Sequence, residues 1–267
     1  MTTLLIHNAH TIATLNDAGY ELRNASIFVR DNCIEAIGPA DSLPQTADKV
    51  IDAQHHVVIP GMVNTHHHMC QSLTRAIPAV QNAELFSWLT GLYPIWAGLQ
   101  PEMIYASTQT AMAELLLSGC TTSSDHLYIY PNGVKLDDCI AAAKEIGMRF
   151  VATRGSMSVG QSKGGLPPDR VVEQEDAILK DTQRLITQFH DASHGAMTQV
   201  AVAPCSPFSV SQDLMRLSAE MARHYGVRLH THLAENDHDV AYSLEKFNRT
   251  PAQYAEDLGW EIGRAHV

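Results

Sequence analysis

The chain has 267 residues, of which 45% are hydrophobic and 6% aromatic, and its formal net charge is −11. This acidic balance would repel a phosphate backbone, so it argues against a nucleic-acid partner. No apolar run reaches the roughly 18 residues of a membrane span, and five scattered cysteines without a CxxC pair favour a reducing compartment over a disulfide framework. We therefore expect a cytoplasmic enzyme that acts on a small, neutral molecule away from membranes.

The first 60 residues have the pattern of short strands. Residues 26–30 and 33–37 flank Asp31 and Asn32, which are a two-residue hairpin signal. Another apolar run covers residues 57–59. This part of the chain is predicted to form a small sheet of its own.

From residue 61 onward, strands and helices alternate. The predicted strands are 62–66, 121–126, 149–153, 199–203 and 228–232, and the predicted helices are 101–118, 135–146, 171–189, 211–224 and 240–258. This alternation indicates an α/β fold with a parallel sheet, either doubly wound or closed as a (β/α)8 barrel. Both folds place active sites at the carboxyl ends of the strands, so the alternation alone does not choose between them.

Two histidine segments follow the first and the fifth of these strands. His66 and His68 project to the same side if their run is a strand, and His232 is followed three residues later by Glu235. Each segment alone is a weak signal, because polar residues at strand ends and a Glu at a helix entry are both common. Together they supply three imidazoles and a carboxylate, which is typical of a catalytic zinc site with an open position for water.

Three motifs in these segments resemble those of the amidohydrolase superfamily, and more narrowly its mononuclear aminohydrolases. They are Pro-Gly-Met-Val-Asn-Thr-His-His-His at 60–68, Ala-Pro-Cys-Ser-Pro-Phe at 203–208 and His-Thr-His-Leu-Ala-Glu at 230–235. The resemblance implies a (β/α)8 TIM-type barrel, with residues 61–260 forming its N-terminal part. It also implies that residues 1–60 belong to a small β-sandwich that flanks the barrel.

The resemblance implies a role for each residue of the two histidine segments. His66, His68 and His232 would bind one divalent metal ion, zinc or alternatively iron, and Glu235 would be the proton shuttle. His67 would be a spacer. A single metal is expected because two-metal relatives use a carboxylated lysine on the fourth strand, and residues 199–203 contain none.

The substrate class follows from further resemblance. Residues 73–76, 153–158 and 164–168 look most like 8-oxoguanine deaminases and their hydroxytriazine-hydrolysing relatives. The expected reaction is deamination of a free heterocyclic base, first of all 8-oxoguanine to urate and ammonia. Hydroxytriazines and other purines or pyrimidines are the alternatives. The zinc deaminases that use Pro-Cys-x-x-Cys are excluded, because Cys205 has no second cysteine three residues on.

Four residues are candidates for reading the base. Gln71 offers a donor and an acceptor to a lactam edge, and Trp96, which stands where nucleoside-type relatives have an acidic residue, offers a flat apolar wall. Cys205 would border the ring, although a buried thiol behind the strand is an equal alternative. Arg154 would meet an anionic or carbonyl-rich ring, or would equally close its strand with an ion pair. Tyr93, Tyr128, His126 and His230 remain open between pocket and packing roles, with packing favoured for the two histidines.

The C-terminal part of the chain departs from the family pattern. A histidine on the sixth strand and an aspartate on the eighth belong to the family's active site, and only about five of eight βα units are visible here. Residues 261–267 can be encoded by a common sequencing adapter, so we expect a truncated chain with a non-native tail, in which His266 has no role. The competing hypothesis is that the chain is not an enzyme but an inactive metal-binding fragment. Separately, the full-length protein could form a homo-oligomer.

Overall fold

The computed structural model describes residues 1–260, and these residues divide into two compact units. The first unit consists of Met1–Met62 together with Ser193–Gly195. The second contains the other described residues from Val63 onward. The predicted tail at 261–267, including His266, lies outside the described residues.

The first unit is a five-stranded sheet. Its strands are β1 (Thr3–Ala13), β2 (Glu21–Arg30), β3 (Cys33–Pro39), β4 (Lys49–Asp52) and β5 (Val57–Val58). The predicted hairpin is confirmed, because β2 and β3 pair antiparallel on either side of Asp31 and Asn32. Strand β1 is central and also pairs with β2, β4 and β5.

The second unit alternates strands and helices, as the sequence predicts. Its elements begin with β6 (Met62–Asn64), whose first residue is counted with the first unit. They continue with α1 (Leu85–Trp96), α2 (Pro101–Leu117), β7 (Cys120–Leu127), α3 (Leu136–Ile146), β8 (Arg149–Ser156), α4 (Glu175–Phe189), β9 (Thr198–Pro204), α5 (Gln212–Tyr225), α6 (Asp237–Phe247) and α7 (Pro251–Asp257). The sheet order is β6-β7-β8-β9, and β7, β8 and β9 run parallel. This arrangement confirms the predicted α/β fold with a parallel sheet.

The register of the sheet decides which strand residues face the helices. His126 of β7 pairs with Thr153 of β8, and the next pair along is Leu127 with Arg154. Because side chains alternate between the two faces of a strand, His126 and Arg154 point to opposite sides of the sheet. The Arg154 side chain reaches Asp181 of α4, so its face is the one that the helices cover.

Three local predictions are corrected by the structure, and one helix is added. The first strand ends at Asn64, so His66 and His68 lie in the segment beyond it. The predicted strand at 228–232 is a single bridge from Leu229 to β9, although its main chain continues to follow that strand. The predicted helix at 240–258 is two helices, since Asn248 has a left-handed φ of 51° between them. Helix α1 was not predicted.

The described residues include no helix with both the length and the apolar character needed to cross a membrane. The second unit instead buries its apolar residues against the sheet, with Phe150 and Ala152 of β8 fully buried. Strands of a parallel sheet covered by helices are expected to have such continuous burial. This rigid sheet carries the segments that bear the histidines.

Candidate metal centre and active site

Three imidazole nitrogens converge beyond the ends of β6 and β9. The Nε2 atoms of His66 and His68 are 3.3 Å apart, and each lies 3.2 Å from the Nε2 atom of His232. The three nitrogens therefore form a nearly equilateral triangle. The structure thus brings together the three residues that the sequence predicts as metal ligands, although His232 is more than 160 positions away from the other two in the chain.

The outer nitrogens of two of these rings fix their tautomers. Nδ1 of His68 lies 2.8 Å from the carbonyl oxygen of His126, and Nδ1 of His232 lies 2.8 Å from that of Cys205. A carbonyl oxygen can only accept, so each Nδ1 carries the hydrogen and donates it. In the neutral rings, both Nε2 atoms then direct lone pairs into the triangle. Lone pairs facing one another at this distance repel unless a cation lies between them.

The donor set fits a divalent metal. With metal–nitrogen bonds of about 2.0–2.1 Å, tetrahedral coordination separates the ligand nitrogens by roughly 3.4 Å, which is close to the spacing in the triangle. Two of the three rings, those of His68 and His232, are held in the neutral form that binds metals. Burial, reinforced by the neighbouring His232, lowers the pKa of His68 to about 3, and burial also lowers the pKa of His232.

Strand β7 holds the first histidine segment in place. The amide of His126 donates to the carbonyl of His67 at 2.8 Å, and the amide of Met69 donates to Oδ1 of Asp125 at 2.7 Å. Together with the bond from His68 to His126, these contacts bind three consecutive residues to the end of one strand. Burial raises the pKa of the Asp125 carboxyl to about 7. Outer contacts of this kind orient metal ligands.

A pocket opens in front of the imidazole triangle. Glu235 lines it together with Gln71, Cys205 and Ser206. Its apolar wall is formed by Leu85, Trp88, Leu89, Tyr93, Tyr128 and Phe208. Three imidazoles, one carboxylate and a mostly aromatic wall thus meet in a single cavity, the composition expected of a site for a flat ligand.

Comparison with known proteins agrees with this arrangement. The amidohydrolase family profile matches residues 57–261, which include every residue of the triangle. The chain belongs to the amidohydrolase family. The chain is also 44% identical over 262 residues to the 8-oxoguanine deaminase of Pseudomonas aeruginosa, and 35% identical over 275 residues to the hydroxydechloroatrazine ethylaminohydrolase of Pseudomonas sp. strain ADP.

These matches cover nearly all of this chain but little more than half of each relative. They span 97% of the chain in both cases, and 58% and 56% of the two relatives. Among solved structures, a triazine hydrolase from Arthrobacter aurescens superposes with a TM-score of 0.91 at 31% identity, over 97% of this chain and 59% of that one. An atrazine chlorohydrolase from the same species, solved with zinc, superposes with a TM-score of 0.90 at 32% identity, over 96% and 58%.

Two of the four predicted base readers lie in the pocket. Gln71 donates from its amide nitrogen to the hydroxyl of Tyr128 at 3.3 Å, which fixes the amide plane beside the pocket. The Cys205 thiol also borders the cavity, and burial raises its pKa to about 12, so it is a neutral, weakly polar contact. Tyr93 and Tyr128, which could have been packing residues, line the pocket as well.

Arg154 is outside this pocket in the described part of the chain, which corrects its predicted contact with a ring. Its guanidinium bonds to both oxygens of Glu173 at 3.0 and 2.8 Å and to Asp181 at 2.9 Å, and it lies 3.9 Å from the centre of the Tyr130 ring. The side chain is only 2% exposed. The structure instead has the alternative that the sequence allowed, an ion pair, because the strand register directs Arg154 toward α4.

Trp96 is likewise buried behind the pocket, and Trp88 lines it instead. Both belong to α1, and their rings meet edge to face with centroids 5.3 Å apart. Trp96 donates from its indole nitrogen to Thr74 at 3.1 Å. The pocket therefore has an indole in its wall, but the indole belongs to Trp88 and not to the predicted Trp96. Residues spaced like Leu85, Trp88 and Leu89 share one helix face, so recognising α1 would have identified the wall.

Phe208 and Ser206 are pocket residues that the sequence analysis did not select, although the motif at 203–208 contains both.

His126 is fully buried and stacks on His232 with centroids 4.8 Å apart. Its Nε2 donates to the carbonyl of Ala203 at 3.1 Å, in keeping with a packing role. His230 packs edge to face against His126, and burial lowers the pKa of His230 to about 4.

Proposed function

We propose that this protein is a metal-dependent aminohydrolase that deaminates a free heterocyclic base, with 8-oxoguanine as substrate and urate and ammonia as products. The observation that carries the proposal is the triangle of three Nε2 atoms, which lines the same aromatic-walled pocket as Glu235. The identity of 44% to an 8-oxoguanine deaminase supports the choice of base.

His66, His68 and His232 would hold one metal ion. Zinc is proposed because a structural neighbour carries it, and iron is the alternative. When bound, the metal would supply a Lewis acid that activates water for attack on a ring carbon. A single ion is proposed because β9 and the residues after it offer Cys205, and not a lysine, toward the site.

Glu235 would move the protons of the reaction. Its carboxylate lines the pocket beside the imidazole triangle and would take a proton from the attacking water. It would then deliver that proton to the ring nitrogen next to the amino-bearing carbon. The second proton of the water, which remains on the new hydroxyl group, would pass through Glu235 to the amino group. Cleavage of the carbon–nitrogen bond then releases ammonia and leaves a carbonyl group on the ring.

The remaining pocket residues would bind the base. Trp88 and Phe208 would contact its faces, and the Gln71 amide, oriented by Tyr128, would read a lactam edge. The pocket that these residues line has a volume of about 230 Å³. Cys205 would border the ring.

The second candidate is hydrolysis of a hydroxytriazine by the same residues. It is favoured by the 35% identity to hydroxydechloroatrazine ethylaminohydrolase and by the TM-score of 0.91 to a triazine hydrolase. A triazine would need the same metal, the same proton shuttle and the same flat pocket. The two candidates differ in the amine that is released and in the ring edge that Gln71 and Cys205 would meet.

The finer architecture belongs to the same proposal. Residues 61–260 would be about five of the eight βα units of a TIM-type barrel, and residues 1–60 would be strands of a flanking β-sandwich. We also propose that the protein acts in the cytoplasm on a small molecule and that it needs neither nucleic acid nor a membrane. A homo-oligomer of the full-length protein is compatible with this function.

The test is a substrate screen with the protein expressed from its complete gene, beside a version limited to the present 267 residues. Purines and hydroxytriazines are each incubated with zinc-loaded protein, and the ammonia or alkylamine released from the ring is measured. The proposal expects the fastest release from 8-oxoguanine, with urate as the second product. Release from hydroxytriazines alone would favour the second candidate, and release from neither class would reject both.

A further inference from the structure

The main chain is unusual between His232 and Glu235. Ala234 has a φ of 53°, in the left-handed region that L residues other than Asn and Asp rarely adopt. Of the seven described non-glycine residues with positive φ, five are Asn or Asp, whose side chains can bond locally. Alanine has no such group, so neighbouring atoms must stabilise this turn. The turn determines the direction in which Glu235 leaves the chain.

A buried carboxylate makes that stabilising contact. Asp239, in the first turn of α6, is 0% exposed, and its Oδ2 atom accepts from the amide of Glu235 at 3.2 Å. Its other oxygen is buried and has no hydrogen-bond partner among the described residues. Burial raises the pKa of Asp239, and main-chain bonds from Glu235 and Ala234 oppose that shift. A carboxyl group is costly to bury unless it is bonded, which makes this contact significant.

The contact is not an ordinary helix cap. In a capping box, the third residue of a helix bonds back to the amide of the N-cap residue. Here the N-cap is Asn236, and its side chain already accepts from the amide of Asp239 at 3.0 Å. The Asp239 carboxylate reaches one residue further, to the amide of Glu235. This position stabilises the turn before the helix rather than the helix itself.

The Glu235 side chain depends on this turn for its direction. Its carboxylate is exposed to the pocket and makes no hydrogen bond to any described residue. We propose that Asp239 is a positioning residue for Glu235: it holds the left-handed turn at Ala234 so that the Glu235 carboxylate faces the imidazole triangle. The inference rests on the proposed function, in which Glu235 is the proton shuttle.

A double-mutant cycle with the full-length protein tests the proposal. Misplacing a catalytic group by about 1 Å can cost roughly 100-fold in rate, so Asp239→Ala is expected to lower kcat by about that factor while KM and bound metal stay unchanged. In a Glu235→Gln background the same substitution should change kcat by less than about threefold, because residues that act as a unit are not additive. A purely structural role would lower kcat equally in both backgrounds and would overturn the proposal.

Matched variants separate positioning from loss of folding. Asp237→Ala removes an exposed carboxylate from the same helical turn and should leave kcat unchanged. Asp239→Asn keeps an acceptor oxygen and should restore most of the activity. Asp239→Leu keeps the side-chain volume without the acceptor, so it provides the same test as alanine if alanine loosens α6. Full activity in a folded Asp239→Leu protein would contradict the proposal.

Hydrogen exchange at the Glu235 amide gives a readout that does not depend on turnover. Protection of this amide should fall at least about tenfold in Asp239→Ala and should be retained in Asp239→Asn, because the amide donates to the carboxylate. Unchanged protection in Asp239→Ala would reject the positioning contact. If the wild-type protein releases no ammonia from any base, the proposed function fails while this measurement still decides the role of Asp239.

Discussion

Two polar clusters lie at neighbouring strand ends of the second unit, and they have opposite electrostatic characters. The histidine cluster around His68 and His232 has neutral rings whose lone pairs converge on one point. The arginine cluster around Arg154 has full charges that satisfy one another, with Glu173 and Asp181 as partners. The register sends Arg154 to the helix-covered face and His126 to the other face. A polar residue at a strand end is therefore a site candidate only when it points away from the helices.

The largest expected effect is on the histidine side of this comparison. Replacing Glu235 with Gln removes the proposed proton shuttle while keeping the shape of the side chain. We expect kcat to fall by about 10²- to 10⁴-fold, the usual contribution of general acid–base catalysis, with bound metal unchanged. Steady-state ammonia release and metal analysis measure the two quantities. Glu220→Gln, at an exposed site on α5, is the control, and a loss below tenfold at Glu235 would contradict its role.

The arginine side is expected to affect stability and not substrate binding. Removing one partner from a buried ion pair costs roughly 3–5 kcal/mol, and the partly exposed Glu173 and Asp181 place Arg154→Ala near the lower value. Denaturant unfolding should show this loss, while KM for the base stays the same. Arg216→Ala breaks an exposed pair and should cost less than about 0.5 kcal/mol. A large rise in KM for the base with Arg154→Ala would show that Arg154 contributes to substrate binding.

The two tryptophans of α1 offer the same contrast between a pocket residue and a buried residue, with smaller expected effects. Trp88→Ala removes part of the pocket wall, and we expect KM to rise about tenfold, which corresponds to roughly 1.4 kcal/mol of lost contact. Trp96→Phe loses the bond to Thr74 and should destabilise the fold by about 1 kcal/mol without changing KM. Kinetics and unfolding of both variants measure these effects. The reverse result would show that Trp96, as the sequence suggested, reads the base.

The elements that could be predicted from the sequence are those with a local signal. The strand predicted at 121–126 is observed as Cys120–Leu127, and the helix predicted at 101–118 is observed as Pro101–Leu117. Hydrophobic periodicity and helix end signals depend only on residues close together in the chain, so the sequence is sufficient to identify such elements. The metal ligands could be selected because few residue types can bind zinc. Their convergence is consistent with the shared carboxyl edge of a parallel sheet.

The errors concern information that is not local. Helix α1 contains Gly91 and Pro94, which weaken its helical signal, and only its docking decides which tryptophan meets the pocket. Arg154 lies two residues after Ala152 and four after Phe150 in β8, so all three side chains point to the same face of the sheet. The sequence analysis did not apply this alternation to Arg154. Asp239 could not be selected either, because its contact depends on the left-handed φ at Ala234.

The most direct test of the metal centre is the amount of metal bound per chain. The full-length protein is loaded with zinc, dialysed and analysed for metal as the wild type, as His232→Ala and as His224→Ala, whose histidine is exposed on α5. We predict one ion per chain in the wild type and in His224→Ala. In His232→Ala, affinity should fall by more than the roughly 10- to 100-fold typical of outer contacts. Two ions or none in the wild type, or full retention in His232→Ala, would contradict the account.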